Sequence, residues 1–402
     1  MCIRLAIISD LHVGNARGVD LNPSNTNLEQ PFVKSYLDEF ENFVEDKGIK
    51  SDYLVIPGDV SHGANPKQVS VASDAIARCA SLLNVTTDKL IFVPGNHDVD
   101  WSVFDGEDPT GHYKQFRYSS INDDSYIFST INSNGHADLF EEPFFNAWVF
   151  DDIAFIGYNS SWHDGPEHSI HCGKVNPQHI NRIERFTKEN VPDDLYKVFM
   201  LHHHPLVHSD INQDDYSTLQ NADSLRNTLY RLSIDLLVHG HKHRPQVKPI
   251  FEGQGHPIVV ICAGSFSAQV NSFPDPPTNQ FHLIDIDCRD TKTGNALGRV
   301  GSWSYTFKDG WVRSRGIHKT GISHQENFGF FPSLTEAVNL LRPLIQQKLD
   351  NDGYVTWEEI VDMEEKVNRI PNEQRRLSLE QLSNDLCYEL MMTEGDIVLL
   401  QK

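Results

Sequence analysis

The chain has 402 residues, 39% of them apolar and 22% charged, which suits a soluble globular protein of two or three units with a large buried core. Its formal net charge of −22 argues against a general nucleic-acid groove and against docking on an anionic membrane, though not against nucleic acid held locally through metal ions. The cysteines are scattered without a CxxC pair, which points to a reducing compartment. The N-terminus shows neither a basic n-region nor an apolar h-region, and no run is long enough to span a bilayer, so the cytoplasm is the expected location.

In chain order, residues 3–9 read as a first strand that ends on Asp10-Leu11-His12. Donors at i and i+2 of extended chain point to one side, so both can reach one ion. A loop rich in Gly, Asn and Pro follows over 13–27. A helix is then expected over 28–46, where Phe32, Tyr36, Phe40, Phe43 and Val44 form an apolar stripe at helical spacing and read as core. Residues 53–56 form a second strand closing on Pro57-Gly58-Asp59, a helix covers 66–83, and 90–93 form a third strand. That third strand is apolar throughout, as expected where both faces are covered, and it stops on Gly95-Asn96-His97-Asp98. The β-α-β-α-β alternation over 1–98 is that of a parallel sheet, whose ligands gather at the carboxyl ends of the strands.

Residues 99–146 read as an irregular insertion, either a cap that shapes substrate access or a packed surface loop. A hairpin over 147–150 and 153–158 leads to Asn159-Ser160-Ser161-Trp162-His163-Asp164. His163, His168 and His171 in this loop are either substrate contacts, His163 first among them, or solvated side chains. A helix over 176–189 precedes a strand over 197–201 that ends on His202-His203-His204-Pro205. A strand over 235–238 ends on His239-Gly240-His241-Lys242-His243. Strands over 257–263 and 281–288 and a hairpin over 300–315 follow.

From residue 320 the texture changes. Residues 321–332 resemble a linker, and three helices are expected to start at capping boxes: Ser333 with Glu336, Thr356 with Glu359, Ser378 with Gln381. Leu379, Leu382, Leu386 and Leu390 share a face of the last helix, and a strand over 396–400 closes the chain. The expected domains are therefore 1–320, catalytic, and 321–402, a helical, winged-helix-like accessory module. From Ser333 onward 7 basic residues face 14 acidic ones, which disfavours DNA and favours a protein partner or an intramolecular role. Asp350, Asp352, Gly353 and Glu359 fall at positions 3, 5, 6 and 12 of a calcium loop, but Lys348 stands at position 1 and speaks against a cation.

Asp10, His12, Asp59, Asn96, His203, His241 and His243 all follow apolar strands. They are too many for one ion and suit two, if a carboxylate bridges. Mixed oxygen and nitrogen donors without a thiolate favour Mn²⁺ or Fe, with Zn²⁺ allowed. Asp-x-His, Gly-Asp, Gly-Asn-His-Asp, a His before x-Pro and Gly-His-x-His, in that order over about 1–290, resemble the calcineurin-like metallophosphoesterase superfamily. The resemblance implies an α/β fold of the four-layer α/β/β/α type. It implies one metal on Asp10, His12, Asp59 and His243, with Asp59 bridging, and a second on Asn96, His203 and His241. It also implies His97 as the catalytic acid. His202, His203 and His204 leave the register of the third motif open, and the family's usual spacing to the proline selects His203. Module 321–402 lies outside the resemblance.

The charges imply a metal-bridging hydroxide attacking phosphorus in line, with His97 protonating the leaving alkoxide. The Asn-Ser-Ser loop, Gly173, Gln178 and His-His-Pro are most similar to class III cyclic nucleotide phosphodiesterases, so the expected substrate is a nucleotide or cyclic nucleotide phosphodiester. The alternatives are a metal-dependent nuclease, an effector phosphoesterase gated by a partner on 321–402, and a catalytically silent scaffold.

Overall fold

The computed structural model describes residues 2–23, 35–103, 117–140, 144–164, 173–206, 218–251, 257–269, 279–314, 322, 324–392 and 398–401. The expected linker start at 321, His168 and His171, residues 28–34 of the first helix and residues 396 and 397 of the last strand lie outside these. The chain forms two compact units: Arg4–Leu283 with Trp303–Val312, and Met1–Ile3 with Ile284–Ser302 and Arg313–Lys402.

The larger unit opens with β1 (Ile3–Ile7), α1 (Tyr36–Lys47), β2 (Tyr53–Ile56), α2 (Pro66–Leu82) and β3 (Leu90–Phe92). The three strands pair in parallel, with Leu5 opposite Tyr53 and Leu54 opposite Leu90. α1 starts where the Ser35 side chain accepts the Asp38 N–H, and it buries Tyr36, Leu37, Phe40, Phe43 and Val44. The Phe40 ring lies 5.1 Å from that of Phe281 on the sheet. Next come α3 (Ile127–Ser133), β4 (Phe145–Val149), β5 (Ile153–Tyr158), α4 (Pro177–Asn190), β6 (Tyr196–Met200), α5 (Ala222–Arg231), β7 (Leu236–His239), β8 (Gln246–Ile250) and β9 (Ile258–Cys262). Then follow β10 (Asn279–Arg289), β11 (Ala296–Thr306) and β12 (Gly310–Arg313), of which Ile284–Arg289, Ala296–Ser302 and Arg313 belong to the smaller unit. α3 lies in the stretch expected to be irregular. It is one short helix without a side-chain cap, held by tertiary packing, with Phe128 4.8 Å from Phe92.

One sheet runs β12-β11-β10-β1-β2-β3 and the other β4-β5-β6-β7-β9-β8. In the second sheet β5, β6, β7 and β9 are parallel, and β4 and β8 flank them antiparallel. Residues of α4 and α5 such as Ile180, Ile183, Leu225 and Leu229 share a core with Ile156, Phe199, Leu201, Leu237 and Val260. The opposite face meets the first sheet, where Tyr53 and Phe155 stand 5.1 Å apart. This is the expected α/β/β/α sandwich.

In the smaller unit β13 (Gln325–Phe328), part of the stretch expected to be a linker, pairs antiparallel with β11, Gly298 opposite Phe328. Its polar sequence gives no strand signal; a long neighbouring edge recruits it. α6 (Leu334–Asp352), β14 (Tyr354–Thr356), α7 (Trp357–Met363), α8 (Asn372–Leu386), β15 (Glu389–Met392) and β16 (Val398–Gln401) follow. The small sheet has the order β14-β16-β15. Helix, strand, two helices and two strands with the last strand central is the winged-helix arrangement. Ala337, Leu341, Ile345, Ile360, Leu379 and Leu382 fill its core.

The capping boxes at Ser333 and Thr356 form. The one expected at Ser378 does not: α8 begins six residues earlier, and the Ser378 hydroxyl donates to Gln374 O at 2.8 Å from inside the helix. Leu390 lies on β15 rather than on the helix face with Leu386. The calcium-like loop is closed by its own lysine, whose Nζ sits 3.3 Å from Asp352 and 3.0 Å from Glu359.

Candidate metal centre

The parallel strands of the larger unit deliver their carboxyl ends to one rim. Beyond β1 and β2 the chains stay paired, with Asp10 N donating to Gly58 O at 3.0 Å and His12 N to Asp59 O at 3.0 Å. This brings Asp10, His12 and Asp59 together. From the second sheet, Gly240 N donates to His202 O at 3.1 Å, and His241 N donates to Asp10 Oδ1 at 3.1 Å. That bond stitches the two sheets at the rim. Gly240 has to be glycine for this approach, since a Cβ there would stand 2.4 Å from Asp10 Oδ2.

Two donor groups result. Asp10, His12 and His243 form one, and Asp59, His202 and His241 the other, each with ligand atoms within 4.8 Å of one another. In the first, His12 Nε2 faces His243 Nε2 at 3.0 Å, and Asp10 Oδ1 is 3.3 Å from His243 Nε2. In the second, Asn96 Oδ1 lies 3.1 Å from His202 Nε2 and 3.0 Å from His241 Nδ1. Asp59 Oδ2 lies between the groups, 3.7 Å from His12 Nε2 and 3.2 Å from His202 Nε2.

The expected His203 is not the residue brought to Asp59 and Asn96; its neighbour His202 is. Strand parity explains the correction. Phe199 and Leu201 face the α4/α5 core, so Met200 and His202 face the other sheet. His203 points back, with Nδ1 2.9 Å from Ser160 Oγ and Nε2 3.1 Å from Asp164 Oδ2. His202 Nδ1 donates to Pro57 O at 2.8 Å, which turns Nε2 toward the carboxylate. Proline spacing and strand parity select different histidines because the turn after β6 holds three in a row.

A family sequence model described as "Calcineurin-like phosphoesterase" matches residues 3–245. The chain belongs to the calcineurin-like phosphoesterase family. It is thereby a metallophosphoesterase, of a family that depends on two metal ions. Among solved structures it is similar to a purple acid phosphatase from yellow lupin (Lupinus luteus) seeds, at 12% identity and TM-score 0.45, covering 76% of this chain and 52% of that one. It is also similar to a dimetal phosphatase from Danio rerio, at 14% identity and TM-score 0.45, covering 75% and 95%. A third is the phosphopantetheinyl hydrolase of Mycobacterium tuberculosis, at 16% identity and TM-score 0.36, covering 65% and 89%. The chain thus spans about half of the lupin protein and nearly all of the Danio one. No curated protein sequence matches it. No helix among the described residues is long and apolar enough to cross a membrane.

The phosphoesterase rim fits divalent cations. Buried carboxylates and imidazole nitrogens face one another, and His241 Nε2 is buried with no hydrogen-bond partner among the described residues. Burial opposes the charge on Asp59, yet His202, His97 and His12 hold its carboxyl well below the ordinary range. Burial likewise opposes the charge on Asp10, and His12 and His243 hold its carboxyl low. Burial keeps His241 neutral, reinforced by His203 and His202. The rim therefore presents anionic oxygens and a neutral His241, while against the effect of burial Asp59 pushes His202 up to about 10, so that this ring carries a proton a metal would displace.

His97 lies at the edge of this group. Its backbone N–H donates to Asp59 Oδ1 at 2.9 Å, and its Nδ1 donates to His62 O at 2.9 Å. Its ring is 4.9 Å from His12 and stacks at 5.0 Å on His62, a residue the sequence patterns did not single out. Asp98, the last residue of the motif, accepts from Gly95 N at 2.9 Å and Ser61 N at 3.0 Å and so fixes the turn that carries Asn96 and His97. Burial, with Asp59 nearby, pushes Asp98 up to about 6. His163 is half-buried, stacked on His179 at 6.3 Å.

Proposed function

We propose that the protein hydrolyses a small phosphodiester, a nucleotide or cyclic nucleotide, with two divalent metal ions. Asp10, His12, Asp59 and His243 would hold one, and Asp59, Asn96, His202 and His241 the other. Mn²⁺ or Fe suits these oxygen and nitrogen donors best, and Zn²⁺ fits as well. The observation that carries the reading is Asp59, whose one carboxylate oxygen is 3.7 Å from His12 and 3.2 Å from His202 and so faces both groups.

When bound, such ions supply an activated water and neutralise phosphoryl charge. The chain's own part is proton delivery and orientation. With Nδ1 of His97 donating to His62 O, Nε2 is the nitrogen left to hand a proton to the leaving oxygen, a step that needs the ring protonated on both nitrogens. The Asp59 bond to the His97 backbone fixes that ring relative to the rim. The net charge of −22 disfavours a long nucleic acid as the main substrate and favours a small diester.

The test is an assay of manganese-loaded protein against bis-p-nitrophenyl phosphate, cyclic nucleotides and linear DNA. Hydrolysis of the first two above the DNA is expected. Protein that binds two metal ions and cleaves none of the three is a scaffold, and the reading fails.

A further inference from the structure

A second set of donors gathers behind the phosphoesterase rim. His204, His239 and Cys262 each offer one ligand atom, and these atoms lie within 4.8 Å of one another. All three residues are buried, at 0%, 2% and 2% exposure. Strand register places two of them. His239 ends β7 and Cys262 ends β9, and the two are direct Cα partners. Partners on parallel strands send their side chains to the same face. Leu237 and Val260, two residues earlier on each strand, belong to the core against α4 and α5. The period of two therefore puts His239 and Cys262 on that helix-covered face, away from the face that carries His202. His204 comes from the turn after β6, where its backbone O accepts from Leu219 N at 2.8 Å, and its ring lies 4.6 Å from that of His239.

The chemistry of this trio differs from that of the rim. It holds a sulfur and two imidazoles and no carboxylate, a set that suits Zn²⁺ and disfavours Mn²⁺ or Mg²⁺. His239 Nδ1 donates to Gly240 O at 3.2 Å, so Nε2 keeps the lone pair. A backbone carbonyl holding the far ring nitrogen is the usual support of a metal-binding histidine.

We propose that His204, His239 and Cys262 form a third cation site, supplying three protein donors to a borderline-soft divalent ion such as Zn²⁺. On binding, the Cys262 thiol releases its proton to solvent and the thiolate sulfur bonds the ion, and the imidazoles bond as neutral ligands. His204 lies two residues after His202, and His239 two residues before His241. One ion here clamps both segments that bring histidines to Asp59 and Asn96.

Cobalt titration of the full-length, metal-stripped chain tests this. Three Co²⁺ per chain are expected, with a thiolate-to-cobalt charge-transfer absorption in the near ultraviolet. Cys262→Ala should bind two, the ions of the rim, and lose that absorption. Cys262→Ser, close in size, gives the same spectroscopic reading if the alanine variant does not fold. Wild-type protein saturated with cobalt and lacking the absorption overturns the site, and so does an absorption that survives in Cys262→Ala. Because the absorption requires sulfur, it reports on this site whether or not the rim turns over any ester.

Discussion

Five of the rim residues hold left-handed backbone that side chains rarely adopt: Asp10 at φ 52°, His12 at 48°, Asp59 at 53°, His241 at 85° and His243 at 53°. Each such residue costs on the order of 1–3 kcal/mol, so the fold spends stability to turn these side chains into one space. Convergence of this kind defines the ligands more sharply than residue type does, and it separates His202 from His203. Measured by elemental analysis after loading with manganese, His202→Ala is expected to lose one ion of the two and His203→Ala to keep both. Equal losses would remove the case for His202. Proton donation is read separately. His97→Ala should retain metal and lose about 10²–10⁴-fold in kcat on alkyl diesters, the range of a general acid, and much less on p-nitrophenyl esters, whose leaving group needs no proton. Unaltered alkyl-diester turnover in that variant would leave His97 with no role beyond packing against His12 and His62.

Elements matter here through their ends. Gly240→Ala would push a Cβ against Asp10 Oδ2 and Ser9 Oγ, both at 2.4 Å, while β7 keeps its pairing with β6 and β9. The expected outcome is a folded protein by circular dichroism with impaired metal binding; normal metal content would show that the rim tolerates the displacement. The sheets are also tied by His282 on β10, whose Nε2 donates to Ala263 O at 2.8 Å just past β9. Burial drops its pKa from 6.5 to about 4. The unfolded chain then binds a proton that the folded chain refuses between those values. The contribution of His282 is complete above pH 6.5 and declines as pH falls toward 4, by roughly 3 kcal/mol at about 1.4 kcal/mol per pH unit. His282→Gln should flatten the chemical-denaturation profile over that interval, and an unchanged slope would assign the acid sensitivity elsewhere. The parallel strands and the turns that end them were legible in the sequence because apolar runs followed by Gly-Asp or Gly-Asn-His state both the strand and its stop. β8 and β13 were not, since Gln246–Ile250 is half-exposed, Gln325–Phe328 is mostly polar, and both take their pairing from neighbours. The register of three adjacent histidines was illegible for a related reason: parity is counted from the strand, and the strand's last paired residue is a tertiary fact.

At the scale of the molecule, the described residues include two large, separate apolar cores. One lies between the second phosphoesterase sheet and α4 and α5, through residues such as Phe199, Leu225 and Leu237. The other lies wholly within Ala337–Leu382, around Leu341, Ile345 and Leu379. The helices at Ser333 and Thr356 could be read from their capping boxes. The start of α8 could not, because a serine followed three residues later by glutamine also occurs inside a helix, where Ser378 bonds back to Gln374. Separate cores make a physical claim about stability. Leu341 is fully buried in α6, and cutting it to alanine is expected to cost about 2–5 kcal/mol in the core it fills. None of that loss reaches the residues around Asp59 if each core carries its own unit. Differential scanning calorimetry of Leu341→Ala should then show a transition moved to lower temperature while manganese content and diester turnover at 25 °C stay at wild-type values. A single transition shifting as a whole, with activity falling beside it, would mean that the two cores melt as one and that the winged-helix unit is part of what holds the phosphoesterase rim together.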